Sequence, residues 1–322
     1  MSVLNEINNS NLIKKIKRFF DKNINLLYSS NYQIDYVEST IKNSFDSQKF
    51  RKIIKKLRND GLLRYSDLIK PEKITDEQIL LVHSLSYLNW VKDPLNLQKI
   101  INTNNLTIFD TDSFDVFKYI TGGTYLAALL ALSNKKPSFN LSGGFHHAKQ
   151  SKGDGFCPIN DVAITITQLL KNNAIRKCLI IDLDYHQGDG NKDIFRNNNS
   201  VFLFSIHAAQ WDDTYSKQSI DVEINNLIKN EDYLDILNQN LSTMDSIVSP
   251  DIIFYLAGSD PYIYDELGDM ELTEETMLQR DVIVYEFAKS REIPLVILPA
   301  GGYGNESYKI YYNFIRWALL KG

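Results

Sequence analysis

The sequence predicts one α/β domain: a central, mostly parallel sheet flanked by helices on both faces. Three observations carry that prediction. Apolar runs that read as buried strands, "CLIIDL", "VFLFSIH", "IIFYLA" and "LVILPA", alternate with helical patterns, as crossover units require. Each run then ends in polar or glycine-rich sequence, as strands do where an open sheet forms its ligand crevice. No Pro/Gly/Ser linker, low-complexity tract or internal repeat divides the 322 residues.

Taken in order, the first pattern is "NLIKKIKRFFDKN", which puts Leu12, Ile13, Ile16, Phe19 and Phe20 on one helical stripe beside five cationic residues. We expect residues 1–25 to form a basic helical extension packed on the body, and residues 26–322 to form the domain. "KFRKIIKKLRND" (49–60) reads as an amphipathic helix stopped by Gly61. A further helix is expected after Thr75, where "TDEQILLVHSLSYL" places Gln78 three residues beyond a capping threonine. "TGGTYLAALLAL" and "NDVAITITQLL" read as helices before the first clear strand, and "TEETMLQRDVIVYEFAKSRE" and "ESYKIYYNFIRWALL" as helices around the last.

Composition narrows the function. The 43% hydrophobic and 23% charged residues are those of an ordinary globular chain. Two cysteines, Cys157 and Cys178, are no disulfide framework, so a reducing compartment is expected. No apolar run approaches the roughly 18 residues of a membrane span, and no signal-peptide pattern opens the chain. A cytoplasmic protein is the expectation. The net charge of −5 hides an asymmetry: residues 1–70 hold 14 Lys/Arg against 7 Asp/Glu, a balance of +7 that leaves −12 for the remainder. An acidic body disfavours direct nucleic-acid binding and suits a cationic substrate.

The chemistry gathers in "LIIDLDYHQGDGN" (179–191). Side chains alternate along a strand, so Asp182, Asp184 and His186 share a face. Burying unpaired carboxylates costs several kcal/mol at least, so the cluster needs solvent, cations or a metal. Four of the five histidines, His146, His147, His186 and His207, stand at strand ends or loops facing the same rim; the fifth is His83. Asp184 and His186, with Asp260 from a later strand end, offer two carboxylates and one imidazole, a set for zinc or ferrous iron with an open position. "LSGGFHHAKQ" places Gly143 and Gly144 before His146 and His147, whose candidate orienting carboxylates are Asp182 and Asp189. Metal-activated water beside a His–Asp pair is equipment for hydrolysing an unreactive carbonyl. A lone His-His is an ordinary packing feature, and a lone Gly-Gly-Tyr an ordinary turn. Together, at matching strand ends, they point to a site, with Tyr303 included by its place after Gly301 and Gly302.

These residues resemble the histone deacetylases and their relatives, the arginase/deacetylase superfamily, through eight ordered blocks between about Leu26 and the C-terminus: "TGGTYLAA", "NLSGGFHHA", "GDGFCPINDVA", "IIDLDYHQGDGN", "SVFLFSIH", "YLAGSDPYIYDELG", "LTEETMLQRD" and "IPLVILPAGGYG". The resemblance implies a single-domain arginase/deacetylase-like fold and a zinc-dependent lysine deacylase. It implies that Asp184, His186 and Asp260 bind the metal and that His147, paired with Asp189, is general base and acid. His146, paired with Asp182, would support it electrostatically, and Tyr303 would stabilise the oxyanion. Gly155, Phe156, Leu267, Gly301 and Gly302 would line an acyl-lysine tunnel, with Trp211 as a further wall. A structural potassium ion would sit near Asp182, Asp184, His186, Ser205 and Ile206. "SFDSQKFRKIIKKLRNDGLL" and "EDYLDILNQNL" look like the class IV branch, which implies a preference for fatty acyl-lysine over acetyl-lysine.

The chain departs from the pattern in three places. Asn43-Ser44 stand where the branch usually has His-Pro before Phe45-Asp46, Ala300 replaces the first glycine of the Gly-Gly-Gly-Tyr turn, and "HAAQWDDTYSKQ" lacks a Pro-Gly of relatives. Two other functions are consistent with the residues: hydrolysis of an acetylpolyamine or other small amide, and non-catalytic binding of acyl-lysine on the same fold.

Overall fold

The computed structural model describes residues 23–33, 48–101, 113–210 and 213–322. The basic stripe of residues 12–20, the Asn43–Asp46 departure and Trp211 lie outside the described residues.

Seven strands form one sheet: β1 (Asn25–Leu27), β2 (Ser138–Asn140), β3 (Cys178–Asp182), β4 (Val201–His207), β5 (Ser219–Glu223), β6 (Ile252–Leu256) and β7 (Leu295–Leu298). Their order is β1-β2-β7-β6-β3-β4-β5, and every pairing is parallel. Both faces are covered, which is why the central strands are continuous apolar runs. Leu179, Ile181, Phe204, Ile253 and Tyr255 pack into one core. Cys178, Ile180, Leu203, Ile252 and Phe254, their neighbours in sequence, pack into the other.

The first core is closed by α1 (Lys49–Asn59) and by three later helices introduced below; the second by helices from the middle of the chain. The helix expected after Thr75 is two: α2 (Asp76–Ile79) and α3 (Leu85–Val91). Thr75 and Gln78 form the expected reciprocal cap. The break has a tertiary cause, since Ser84 N–H donates to Gln150 C=O and the Ser84 hydroxyl accepts from Tyr87 N–H, starting a new helix. α4 (Pro94–Ile101) follows, then α5 (Ser113–Asn134), α6 (Asp161–Lys171) and the short α7 (Asp189–Ile194). α5 is the one described helix long and apolar enough to cross a membrane, and 50% of that window is buried inside the molecule. It packs on α6, β2 and β7.

α8 (Asn230–Ile247), α9 (Glu274–Ser290) and α10 (Ser307–Lys321) complete the layer begun by α1. Both cysteines are buried and free. The carboxyl ends of β3, β4, β6 and β7 open on one edge of the sheet, so the loops that follow them converge there.

Candidate active site

β3 ends at Asp182, so Asp184 and His186 come from the turn that follows rather than from the strand, with His186 bridged to Ala209 alongside β4. Asp260 arrives from the turn after β6. Ligand atoms of Asp184, His186 and Asp260 all lie within 4.8 Å of one another. His186 Nδ1 is 3.3 Å from Asp184 Oδ1 and 3.2 Å from Asp260 Oδ2. The other oxygen of each carboxylate is occupied by backbone: Gly301 N–H donates to Asp184 Oδ2 at 2.7 Å, and Tyr185 N–H donates to Asp260 Oδ1 at 3.0 Å. Both aspartates are buried, at 1% and 0% exposure.

The charges show what such a cluster demands. Burial works against protonated His186, yet the Asp184 and Asp260 carboxylates outweigh it and hold the imidazole up at about 10. Burial and the Asp184 charge push Asp260 up to about 7. Burial works against ionised Asp184 too, but His146 and His186 hold it well below the usual carboxylate range. Two buried carboxylates facing one imidazole are thus short of positive charge. The donor set, two hard oxygens and one imidazole nitrogen, fits a divalent cation such as zinc.

The paired histidines stand beside this trio. After β2 the chain turns through Gly143 (φ +94°) and Gly144 (φ +86°), backbone that favours glycine. The turn is anchored by Asp161 at the start of α6, whose carboxylate accepts Gly144 N–H at 3.0 Å and Phe145 N–H at 2.7 Å. His146 Nδ1 meets Asp182 Oδ2 at 2.8 Å and His147 Nδ1 meets Asp189 Oδ1 at 2.6 Å, the two pairings the sequence suggested. Their environments differ. Burial opposes protonation of His146, but Asp182 and Asp184 outweigh it and hold it up at about 9. Burial and the neighbouring His146 charge pull His147 down to about 4. Asp189 also receives Lys149 Nζ at 3.0 Å, a partner that sequence reasoning missed.

Tyr303 follows β7 and is 7% exposed. Its N–H donates to Asp265 Oδ2 at 2.7 Å, and its ring packs on Phe156, centroids 5.7 Å apart. Burial, with the Asp260 and Asp184 charges nearby, keeps the phenol protonated. Asp265 also accepts from Leu267 N–H, which puts Leu267, 41% exposed, on the same turn. Ala300, in place of the usual glycine, has φ +48°, a left-handed conformation that costs a side-chain-bearing residue about 1–2 kcal/mol. Gly155 (φ +52°) and Phe156 (φ +63°) are also left-handed, and this second turn carries the ring that packs on Tyr303.

Ser205 lies opposite Asp182 in the β3–β4 register. His207, expected at the rim with the other histidines, is fully buried at the end of β4, its Nδ1 2.9 Å from Ser205 Oγ and its Nε2 3.3 Å from Gln187 Nε2. Lys49 was also missed. It is buried, and its ammonium donates to Gly302 C=O at 2.9 Å, bracing the turn that carries Tyr303. In sequence it is one of several lysines in a basic amphipathic helix, and that pattern suggests solvent.

A histone deacetylase domain model matches residues 43–315, most of the chain. Histone deacetylase 2 of Arabidopsis thaliana is 30% identical over 312 residues, 93% of this chain and 80% of that protein. The chain belongs to the histone deacetylase family. Solved structures agree on the fold of this histone deacetylase-family hydrolase. A deacetylase homologue from Aquifex aeolicus superposes with a TM-score of 0.71 at 23% identity, covering 92% of this chain and 82% of that one. The HDA15 HD domain does so with a TM-score of 0.77 at 19% identity, covering 92% and 88%. The seven-stranded parallel sheet with helices on both faces is the arginase/deacetylase arrangement that the sequence blocks implied.

Proposed function

We propose that this histone deacetylase-family hydrolase is a zinc-dependent lysine deacylase that cleaves the amide of an acylated lysine to free lysine and a carboxylate. The observation that carries the reading is the convergence of Asp184, His186 and Asp260 beside two His–Asp pairs at one sheet edge. Asp184, His186 and Asp260 would hold the metal, zinc before ferrous iron, the family being generally zinc-dependent. When bound, the ion supplies Lewis acidity to the substrate carbonyl and to water.

The remaining chemistry belongs to the chain. His147, with Nδ1 fixed by Asp189, presents Nε2 to accept a proton from water and return it to the leaving lysine amine. His146, with Nδ1 on Asp182, adds positive charge beside it. The Tyr303 hydroxyl donates to the oxygen that becomes the oxyanion. Gly155, Phe156, Leu267, Gly301 and Gly302, with Trp211, would enclose the acyl-lysine stem. Asp182, Asp184, His186, Ser205 and Ile206 would hold a potassium ion behind the site. The blocks at 44–63 and 231–241 favour the class IV branch, and with it long acyl chains.

The test is turnover of the zinc-loaded protein on fluorogenic lysine peptides carrying acetyl to myristoyl groups, with and without chelator, beside acetylspermidine. Chelator-sensitive turnover that rises with chain length is expected. Turnover of acetylspermidine with silence across the peptides would replace the substrate reading by a polyamine one.

A further inference from the structure

Arg280, in the middle of α9, is the largest fully buried side chain among the described residues, at 0% exposure. A guanidinium does not leave water without partners on its donors. Its Nη1 donates to two carbonyls, Leu183 C=O at 3.1 Å and Gly258 C=O at 2.8 Å. Its Nε and Nη2 donate to Asp281 Oδ1 at 2.9 Å and 2.7 Å, and Asp281 also accepts the Tyr255 hydroxyl at 2.5 Å from β6.

The two carbonyls are not arbitrary. Leu183 directly precedes Asp184, and Gly258 stands two residues before Asp260. The parallel ladder between β3 and β6 ends with Leu183 N–H donating to Leu256 C=O, and past that point the two chains diverge into the turns that carry the metal-binding side chains. At that point one guanidinium nitrogen bridges them. Asp281 and Tyr255 fix the guanidinium plane in turn, so the spacing between the turns is referred back to β6 itself.

We propose that Arg280, held by Asp281 and Tyr255, is a positioning residue for the metal centre: it sets the separation of the Asp184–His186 turn from the Asp260 turn. The inference rests on the reading of those three side chains as metal ligands. It assigns Arg280 no contact with substrate. Residues behind a metal's direct ligands are commonly worth about 10–100-fold in metal affinity.

The experiment is a zinc dissociation constant for the full chain, by chelator competition, in wild type, R280K and D260A, with circular dichroism and thermal melts on each. Lysine keeps the positive charge beside Asp281 but lacks the planar fork that reaches both carbonyls and Asp281 together. R280K is expected to melt cooperatively, to bind zinc roughly 10–100-fold more weakly, and to recover most of its kcat when zinc is saturating. A folded R280K with wild-type zinc affinity overturns the proposal. Where R280K does not fold, Y255F, which leaves the guanidinium and removes one Asp281 contact, is read in the same way, and unchanged affinity there overturns it. Failure of the underlying reading looks different: wild type would then bind zinc no better than D260A.

Discussion

Tyr303 is gripped at its backbone by Asp265 and at its ring by Phe156, so its hydroxyl is aimed by the fold rather than by substrate. Replacing it with phenylalanine removes one donor and no packing volume. Y303F is therefore expected to keep its thermal melt and its zinc content while kcat falls roughly 100–1000-fold, the usual cost of one oxyanion donor. Steady-state kinetics beside metal analysis check it, and normal turnover would withdraw the role assigned to Tyr303. The neighbouring ligand gives the complementary result. D260A removes one of three donors from a buried cluster, so metal content rather than kcat should fall first. That contrast separates residues that hold the ion from residues that act on the substrate.

At the scale of elements, α5 shows why helix propensity alone misleads. Gly122 lies in its interior, where alanine ordinarily stabilises by about 1 kcal/mol. Here the segment before α2 crosses the helix, with Ile74 N–H donating to Lys118 C=O, and a Cβ on Gly122 would stand 1.8 Å from the Glu72 carbonyl oxygen. G122A should therefore destabilise, by about 1–3 kcal/mol net, as overpacking against backbone does. Chemical denaturation would show it, and a more stable G122A would mean that the crossing segment yields. The same contrast governs what could be read from sequence. Continuous apolar runs gave away β3, β4, β6 and β7, because strands covered on both faces have no alternative composition. β1 and β2 are three residues each, and β5 is a half-exposed edge, so their patterns were too short or too polar to stand out. The site was legible where chemistry required rare residues at strand ends. Arg280, Lys49 and Asp161 were not, because a charged residue in a helical pattern is read as solvent-facing until tertiary contacts bury it.

The whole molecule joins its middle helices to the site through His83, the histidine that sequence reasoning left outside the rim. It is buried between α2 and α3, and its Nε2 accepts Asn160 N–H at 3.0 Å at the entry to α6. Asn160 in turn donates to Ala148 C=O and to Asn191, linking the histidine loop to α7. Burial pulls His83 down to about 4 from 6.5, so the folded protein holds it neutral while an unfolded chain protonates it below neutrality. In that window the unfolded state binds more protons, so stability rises with pH. The contribution is complete above the unfolded value of 6.5 and is lost as pH falls toward about 4. Between pH 7 and pH 5 the loss is about 2 kcal/mol by linkage. Asp161 and Asp281, whose carboxyls burial pushes up, titrate in the opposite sense, so the informative quantity is a difference between variants. In H83Q the amide oxygen can accept the Asn160 N–H and carries no titrating proton. Urea denaturation at the two pH values should show H83Q losing about 2 kcal/mol less than wild type on acidification. Equal losses would mean that water reaches the imidazole in the folded molecule and that burial does not hold its proton affinity down.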